Sequence, residues 1–397
     1  MSDISKIILK SGKEDSVKRF HPWVFSGAIN HKEEIPDGEI VEVYSNSREY
    51  LGTGIYNSGT IAVRIYSYEK TEFNQDFWIN KIQNAYNYRQ HLRLTNNPDT
   101  NAYRLIHAEG DNIPGLITDI YNNTAVIQAH TTGIHKYRNE IAQAIQSVYA
   151  GKIDTVFDKS EKTLHKADPS QSDEKQNMYL IGENKSECIV KENGHQFLIN
   201  WEEGQKTGFF LDQRDNRKLL GDYSENRSVL NTFCYTGGFS VYALNSGALN
   251  VDSVDASKKA IALTDRNIEL NNIHENHQSY SEDVFNFFKN HDMTYDIIIL
   301  DPPAFAKHKS ARHSAIMGYK RLNTEAMKRI KSGGILFTFS CSQVVDKYLF
   351  ESTIMSAAIQ AERSVKVMHH LSQPADHPVS IFHPEGEYLK GLVLYIQ

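Results

Sequence analysis

The stretch Asp301-Pro302-Pro303-Ala304-Phe305 directly follows the apolar run Ile297-Ile298-Ile299-Leu300. An unbroken run of branched apolar residues is typical of a parallel strand that is buried on both faces. In an open α/β sheet, ligands bind beyond the carboxyl ends of such strands. A carboxylate held there by two prolines of fixed φ, beside an aromatic ring, suits the edge and the face of a planar nucleobase. The alternative interpretation is a strand that simply ends and turns at the proline pair.

The residues on either side of this stretch indicate strands that alternate with helices. Ser257 is the predicted N-cap of one helix, and Gly333 and Gly334 are predicted to end another. Strands separated by helices imply right-handed βαβ units and a doubly wound sheet. The predicted strands of this sheet cover residues 228–231, 251–255, 296–300, 335–340 and 391–396.

Changes of pattern along the chain predict three domains, at residues 1–71, 72–198 and 199–397. The first contains short strand-like runs separated by turn signals, which indicate a small β domain. The second mixes strands and helices, and its polar residues 158–177 are predicted to form an exposed loop. The third carries the alternating strands and helices.

Composition excludes several classes of protein. The net charge of −6 argues against a general nucleic-acid coat protein, for which a basic domain is expected. Cys188, Cys234 and Cys341 are too few and too scattered for a disulfide framework or a zinc site, so no metal is predicted. No apolar run approaches the ~20 residues of a membrane span, and the first residues lack a signal-peptide core. These features predict a cytoplasmic protein that does not enter the membrane.

The segment that follows Asp301 is basic. Between residues 302 and 331 the chain has eight lysines and arginines and one acid, Glu325. Such a cluster forms either a solvated helix face or a surface that contacts phosphates, and the sequence leaves both open. The basic residues are Lys307, Lys309, Arg312, Lys320, Arg321, Lys328, Arg329 and Lys331.

Residues at successive strand ends indicate an adenosine-containing cofactor. Gly237 and Gly238 follow the first strand and open a helix, where a cofactor can approach the backbone. Asp255 ends the next strand and could accept hydrogen bonds from both ribose hydroxyls, and Asp283 could accept one from an adenine amino group. Each acid alone could equally be a loop or capping carboxylate. The third glycine of the dinucleotide motif is missing, which favours S-adenosylmethionine over a nicotinamide dinucleotide.

These motifs occur in an order that is found in a known enzyme family. The chain closely resembles the bacterial large-subunit (23S) ribosomal RNA cytosine-carbon-5 methyltransferases that carry an N-terminal PUA domain. The likeness spans nearly the whole chain. The matching segments are residues 206–214, 235–239, 301–305 and 339–342, together with 21–25, 110–116, 376–378 and 384–391.

The resemblance implies an α/β protein with a C-terminal Rossmann-like class I methyltransferase domain that depends on S-adenosylmethionine. It also implies a small N-terminal β-barrel-like PUA domain, which would bind the large-subunit rRNA, and a central α+β domain. A homodimer is a further implication.

Residue by residue, the resemblance implies three groups of functional side chains. The catalytic residues would be Cys341 and Asp301. The cofactor would contact Thr207, Phe210, Asp212, Gln213, Arg214, Tyr235, Thr236, Gly237, Gly238, Asp255, Asp283 and Asp301. The RNA substrate would contact Pro302, Pro303, Phe305 and Lys307, with Phe305 and Tyr319 as candidates for stacking on the base.

Carbon 5 of cytosine is a poor nucleophile, so its methylation requires covalent assistance. A thiolate that adds at carbon 6 turns the ring into an enamine, whose carbon 5 can then attack a methyl group. Cys341 follows the predicted strand 335–340, beside the Asp301 strand in the usual order of such sheets. The alternative is an inert buried thiol. Asp301, a bound water or His308 could remove the proton from carbon 5.

Three other functions stay open at this point, and one of them is a dehydrogenase, which absence of NAD binding would dismiss. A methyltransferase acting on a nitrogen of guanine or adenine would need Asp301 and Phe305 but no thiol. An RNA-binding module without chemistry would need none of these residues, and the intact motifs around Asp301 and Cys341 argue against it.

Overall fold

The computed structural model describes residues 4–31, 34–167, 176–182, 186–306 and 308–397. The chain divides into two compact units. The first unit comprises Met1–Val190, Ile199–Leu211 and Ala375–Gly386, and the second comprises Lys191–Leu198, Asp212–Pro374 and Glu387–Gln397. The chain therefore returns to the first unit twice after entering the second. The division into three domains at residues 71 and 198 stays a prediction.

The first unit begins with a sheet whose strands follow the order β2-β6-β5-β4-β1-β3. β4 alternates between buried and partly exposed positions, with Val41 and Val43 fully buried, and Leu9 on the neighbouring β1 is fully buried as well. The predicted strand-like runs of this region are confirmed. The elements are β1 (Ser5–Leu9), α1 (Asp15–Lys18), β2 (Trp23–Phe25), β3 (Ile29–His31), β4 (Ile40–Tyr44), β5 (Tyr50–Tyr56) and β6 (Ile61–Ser67).

A second sheet of this unit follows the order β11-β10-β9-β8-β7, and Trp78, Ile82 and Ile145 of the helices are buried in its core. The elements are α2 (Gln75–His91), β7 (Ala102–His107), β8 (Leu116–Tyr121), β9 (Thr124–Ala129), α3 (Thr132–His135), α4 (Arg138–Val148), β10 (Thr155–Asp158), α5 (Glu161–Ala167) and β11 (Met178–Ile181).

The prediction of an exposed loop over residues 158–177 is wrong for residues 158–167, whereas Gln176 and Asn177 do lie outside any helix or strand. Asp158 ends β10, Ser160 is buried, and α5 follows. Polar side chains are tolerated here because they satisfy one another: the Ser160 hydroxyl donates to Asp158, which also lies 2.9 Å from Nε2 of His135. Residues 168–175 lie outside the described residues.

Buried ion pairs join distant segments of the first unit. The Arg104 guanidinium donates to both oxygens of Asp119 at 2.8 and 2.9 Å, and its backbone N–H donates to Asp376 at 3.0 Å. The Thr207 hydroxyl donates to the same Asp119 carboxylate at 2.5 Å. Because buried charges must be paired and hydrogen-bonded, these contacts explain why residues near 207 and 376 belong to this unit.

The second unit contains the doubly wound sheet, in the order β16-β15-β14-β17-β18-β20-β19. Before it in the chain comes a hairpin of β12 (Glu187–Glu192) and β13 (His195–Asn200), of which only Lys191–Leu198 belongs to this unit. The other elements of the unit are α6 (Arg214–Ser224), β14 (Ser228–Thr232), α7 (Gly238–Asn245), β15 (Asn250–Asp255), α8 (Lys258–Leu270), β16 (His277–Ser281), α9 (Val284–Asn290), β17 (Tyr295–Leu300), α10 (Arg312–Arg329), β18 (Ile330–Ser340), α11 (Lys347–Gln360), β19 (Val365–Leu371) and β20 (Lys390–Ile396).

The expected parallel strand is confirmed and is buried on both faces. β17 pairs in parallel with β14 and with β18. Ile297 and Ile299 pack into the core on one face of the sheet, whereas Ile298 and Leu300 pack into the core on the other. β20 pairs antiparallel with both β18 and β19, so the last strand inserts between them.

The prediction that Gly333 and Gly334 end a helix is wrong. α10 already ends at Arg329, and both glycines lie within β18. A Cβ atom on Gly334 would lie 2.5 Å from Ile330 Cγ2 and 2.7 Å from the carbonyl oxygen of Asp296. The glycine is therefore needed where the irregular start of β18 closely approaches its own chain and β17.

A helix long and apolar enough to cross a membrane is not found among the described residues.

Candidate active site

Asp301 and Cys341 follow the carboxyl ends of two neighbouring parallel strands. β17 and β18 pair with Leu300 opposite Thr338, so the residues beyond both strands leave the same edge of the sheet. Asp301 and Cys341 are both partly exposed there. This is the edge at which open α/β sheets bind ligands. The predicted adjacency of the two strands is confirmed.

Hydrogen bonds join the segments that carry these two residues. The Ser342 hydroxyl donates to the carbonyl oxygen of Ala306 at 2.8 Å, which ties the end of β18 to the segment after Asp301. The Ser340 hydroxyl donates to the Tyr319 hydroxyl at 3.0 Å. The backbone around Cys341 is therefore held from two sides.

Tyr319 does not offer a face to a nucleobase. Its side chain is fully buried and packs against the ring of Phe305 at 4.6 Å. Burial raises the pKa of Tyr319 to about 12, and the negative charges of Cys341 and Asp301 act in the same direction. Tyr319 thus supports Phe305 from behind, while Phe305 itself stays half-buried.

Lys390 lies beside the candidate nucleophile, and sequence reasoning assigned it no role. It stands opposite Ser340 in the β18–β20 pairing, and its ammonium donates to the carbonyl oxygen of Ser342 at 2.7 Å. Burial lowers the pKa of Lys390, and the charge of Cys341 is foremost among those that oppose this shift. The available signal was a lysine at the start of an otherwise apolar strand, where a charge needs a partner.

Asp301 has a positioned hydrogen-bond donor. The side-chain amide of Gln213 donates to Asp301 Oδ2 at 3.0 Å, and its oxygen accepts from Asn216 at 2.6 Å. Gln213 and Asn216 are both buried. Gln213 therefore uses both ends of its amide within the protein, and its predicted contact with the cofactor stays a prediction.

Asp255 organises the loop after β14. Its Oδ2 accepts from the backbone N–H of Tyr235 at 3.1 Å, and its Oδ1 accepts from that of Ser257 at 2.8 Å. The Ser257 hydroxyl caps α8, as predicted. Phe233 and Tyr235 have φ values of 55° and 48°, which are uncommon for aromatic residues and mark local strain.

The two glycines of this loop are needed for packing inside the protein. A Cβ atom on Gly237 would lie 2.6 Å from Thr264 Cγ2, and one on Gly238 would lie 2.9 Å from Arg217 Cδ. Gly237 also has a φ of 73°. Glycine at these two positions was expected to let a ligand approach the backbone. Its close contact with α8 and α6 is a second reason why glycine is needed there.

A buried ion pair lies beneath Gly238. Arg217 donates to both oxygens of Glu192 at 2.8 and 2.7 Å, and both side chains are almost fully buried. Burial alone would lower the pKa of Arg217, but the charge and hydrogen bonds of Glu192 outweigh it, and the pKa is raised. Tyr242 donates to the same carboxylate at 3.1 Å.

Asp283 is exposed and caps a helix. Its Oδ1 accepts from the backbone N–H groups of Phe285 and Asn286 at 3.0 and 3.1 Å, which satisfies the start of α9. Asp283 therefore acts as a capping carboxylate, which is the alternative that the sequence left open. Oδ2 takes no part in this cap, so the predicted contact with an adenine amino group stays a prediction.

The other predicted cofactor residues are held by contacts within the unit to which each belongs. Thr207 is fully buried and its hydroxyl is bonded to Asp119, so its predicted contact with the cofactor stays a prediction. The Phe210 ring lies 4.4 Å from the Lys206 ammonium, and Asp212 accepts from the Tyr388 hydroxyl at 2.6 Å. Arg214 is buried 3.5 Å from Asp215, and the carbonyl oxygen of Thr236 accepts from Asn267 at 2.8 Å.

Part of the basic segment is engaged in ion pairs. Glu325 pairs with Lys328 and Arg329, Asp296 with Lys331, and Asp346 with Arg312. Arg321 stacks on Phe285 at 4.5 Å. These contacts favour the interpretation of that part of the basic segment as a solvated helix face.

The predicted RNA contacts differ in their exposure. Pro302 is buried, Pro303 is exposed and Lys307 lies outside the described residues.

One group of described side chains has the residue types of a metal site. His21, His383 and Glu385 offer ligand atoms within 4.8 Å of one another. However, the backbone N–H of Trp23 donates to Nδ1 of His21 at 3.2 Å, which leaves the ring proton on Nε2, 3.5 Å from Glu385. This arrangement favours a histidine–carboxylate contact, and the predicted lack of a metal stays a prediction.

Comparisons with known proteins show the family to which the chain belongs. Residues 7–68 match the model of a PUA-like domain, and residues 163–385 match that of an S-adenosylmethionine-dependent methyltransferase. Proteins named ribosomal RNA large subunit methyltransferase I are 38% identical in Pseudoalteromonas atlantica and 36% identical in Shewanella amazonensis, each match covering 98% of both chains. A candidate methyltransferase, SMU.776, solved with SAH bound, superposes with a TM-score of 0.85 at 26% identity and covers 99% of this chain and 100% of its own. The chain therefore belongs to the family of S-adenosylmethionine-dependent methyltransferases that includes the proteins named ribosomal RNA large subunit methyltransferase I.

Proposed function

We propose that the protein methylates carbon 5 of a cytosine in large-subunit (23S) rRNA through a covalent adduct with Cys341. The observation that carries this proposal is the position of Cys341 and Asp301 beyond the ends of neighbouring strands β18 and β17. The relatives named for ribosomal RNA support the substrate class.

The end of β15 has the chemistry that S-adenosylmethionine needs. Each Asp255 oxygen accepts one backbone N–H and keeps a lone pair for a ribose hydroxyl. Tyr235, Gly237 and Asp283 border the same strand ends, and Asp283 Oδ2 is available beyond the cap. When bound, this cofactor supplies an electrophilic methyl group. Asp255 would orient the adenosine, and Asp301 would stand between cofactor and base.

Cys341 acts as the nucleophile in this mechanism. Its thiolate adds to carbon 6 of cytosine, and the electron pair of the ring double bond becomes available at carbon 5. Once carbon 5 carries the methyl group, its proton passes to a base, for which Asp301, a bound water and His308 are the candidates, and cleavage of the carbon 6–sulfur bond restores the aromatic ring and releases the thiolate. The partly exposed thiol satisfies the access that this step requires.

Asp301 acts at the polar edge of the base. Its carboxylate can accept from the exocyclic amine or share a proton at ring nitrogen 3, which assists addition at carbon 6. Gln213 holds the orientation of this carboxylate. Phe305, supported by Tyr319, can cover one face of the flipped base.

We further propose that the PUA-like segment contributes RNA binding, that the protein acts in the cytoplasm and that it forms a homodimer. The match of residues 7–68 to a PUA-like model supports the first statement. The three domains at residues 1–71, 72–198 and 199–397 remain part of this proposal.

The test is methyl transfer from labelled S-adenosylmethionine to unmodified 23S rRNA, followed by digestion to nucleosides. We expect labelled 5-methylcytidine with the wild type and with Cys188→Ala, a control cysteine that has no place in the proposed site, but not with Cys341→Ala. RNA that contains 5-fluorocytidine should form a denaturation-resistant adduct with the first two proteins only, because fluorine at carbon 5 prevents the elimination.

Other outcomes would contradict the proposal. Label on guanosine or adenosine would indicate nitrogen methylation, and 5-methylcytidine at undiminished rate in Cys341→Ala would exclude this nucleophile. Binding of SAH by Cys341→Ala serves as the test that the variant is folded.

A further inference from the structure

Among the residues that the structure describes around Cys341, Lys390 is a buried cation with specific contacts. Lys390 is 8% exposed at the start of β20, and its ammonium donates to the carbonyl oxygen of Ser342, the residue after Cys341, at 2.7 Å. A buried ammonium is unfavourable unless a compensating charge or acceptor is present. One carbonyl oxygen compensates only in part, so the site is suited to a nearby anion.

We propose that Lys390 is a positioning residue for the nucleophile, fixing the backbone at Ser342 and favouring the thiolate form of Cys341. The inference rests on the nucleophilic role proposed for Cys341, but it concerns a property of the thiol that is measurable without RNA. The register of the sheet supports it, because Ser340 and Lys390 are direct partners across β18 and β20.

The electrostatic interactions are consistent with mutual stabilisation of the Lys390 ammonium and the Cys341 thiolate. Burial lowers the pKa of Lys390, and Cys341 heads the charges that raise it, ahead of Glu387 and Asp346. Attraction between two charges is reciprocal, so an ammonium favoured by the thiolate also favours the thiolate. A reactive cysteine needs such an electropositive neighbour, since the thiolate is the nucleophile.

Other titratable groups near Lys390 and Cys341 either favour or disfavour the thiolate form of Cys341. The Tyr319 hydroxyl of α10 interacts electrostatically with Cys341 and with Asp301, the residue after β17, and a negative charge on Tyr319 or Asp301 would disfavour the thiolate. A cavity of about 180 Å³ beside Lys390 is lined by further charged or titratable side chains. These are Lys347 and Glu351 of α11, His370 of β19 and Glu387. Among the cations near this cavity, Lys390 donates a hydrogen bond to the carbonyl oxygen of Ser342, the residue after Cys341.

The experiment measures alkylation of Cys341 by iodoacetamide as a function of pH, in the full chain without RNA, with the modified peptide quantified by mass spectrometry. In Lys390→Met, which keeps most of the apolar stem but not the charge, the rising limb of the rate should move to higher pH by about one unit. Lys390→Arg should restore most of the reactivity because it keeps the charge.

A matched control is Lys347→Met, which removes an exposed lysine from the same cavity wall and should leave the profile unchanged. An unshifted profile in a folded Lys390→Met protein would overturn the proposal, as would an equal shift in Lys390→Arg. Failure of the proposed function is a separate result: 5-methylcytidine would be absent with the wild type, whatever the alkylation profile shows.

Discussion

The side-chain amide of Gln213 donates a hydrogen bond of 3.0 Å to the carboxylate of Asp301, although 88 residues separate the two in the chain. Asn216, one turn along on α6, holds the other end of this amide at 2.6 Å. The candidate base-binding carboxylate is thus oriented by a buried amide that is itself fixed, an arrangement that preorganises a site before its substrate arrives.

Gln213→Leu should lower kcat for methyl transfer by about 10- to 100-fold, because Asp301 would lose the donor that sets its position. The affinity for SAH should change much less if Gln213 acts mainly through Asp301. Single-turnover kinetics and calorimetry measure the two quantities separately. An equal loss in both would instead support the direct cofactor contact that the sequence predicts for Gln213.

Asp255→Asn should weaken SAH binding by about 10- to 100-fold, the usual magnitude for a hydrogen bond to a charged group. The carboxylate oxygens accept from the N–H groups of Tyr235 and Ser257, and asparagine can satisfy only one of them. Isothermal titration calorimetry gives the affinity. Asp222→Asn, an exposed change on α6, is the matched control and should bind SAH normally; unchanged binding by Asp255→Asn would remove Asp255 from the cofactor site.

Glu192→Leu should lower the free energy of unfolding by about 3–5 kcal/mol, because it leaves the buried Arg217 charge without its partner. Urea denaturation followed by far-ultraviolet circular dichroism measures this loss. The double variant Glu192→Leu/Arg217→Met should recover most of it, since no charge then remains buried. A double variant as unstable as the single one would show that shape rather than charge decides stability at this position.

The stability of the first unit should fall as the solution is acidified, and His107 should contribute to this fall. Burial lowers the pKa of His107 well below its usual range, with the positive charge of Arg104 acting in the same direction. Below pH ~6.5 the unfolded chain binds a proton that the folded histidine does not, so stability is lost as pH falls. Between pH 6.5 and 5.5 this amounts to about 1 kcal/mol.

His107→Gln should therefore flatten the pH dependence of unfolding by that amount, even if it lowers stability at every pH. Trp23, Trp78 and Trp201, the three tryptophans of the chain, all belong to the first unit, so tryptophan fluorescence in urea reports on it. His91→Gln, at an exposed position on α2, should leave the slope unchanged. A His107→Gln slope identical to that of the wild type would contradict the assignment.

Local sequence patterns predicted much of the second unit. The run from Ile297 to Leu300 is apolar at every position because β17 is buried on both faces, and the sheet edge that carries Asp301 follows from that strand. Ser257 was recognisable as a helix cap because capping depends on the next three residues alone. β19 was missed, since its partly exposed residues, with Lys366 and two histidines, give no clear alternation.

The sequence by itself determined most strands of the doubly wound sheet, the residues at their ends and the family motifs, because each depends on neighbours within a few residues. Only the tertiary structure decided that Tyr319 is buried behind Phe305, that Gln213 holds Asp301 and that Lys390 lies beside Cys341. These pairings join segments far apart in the chain. They form because a buried polar group must find a partner wherever the packed chain brings one, and local sequence does not specify that place.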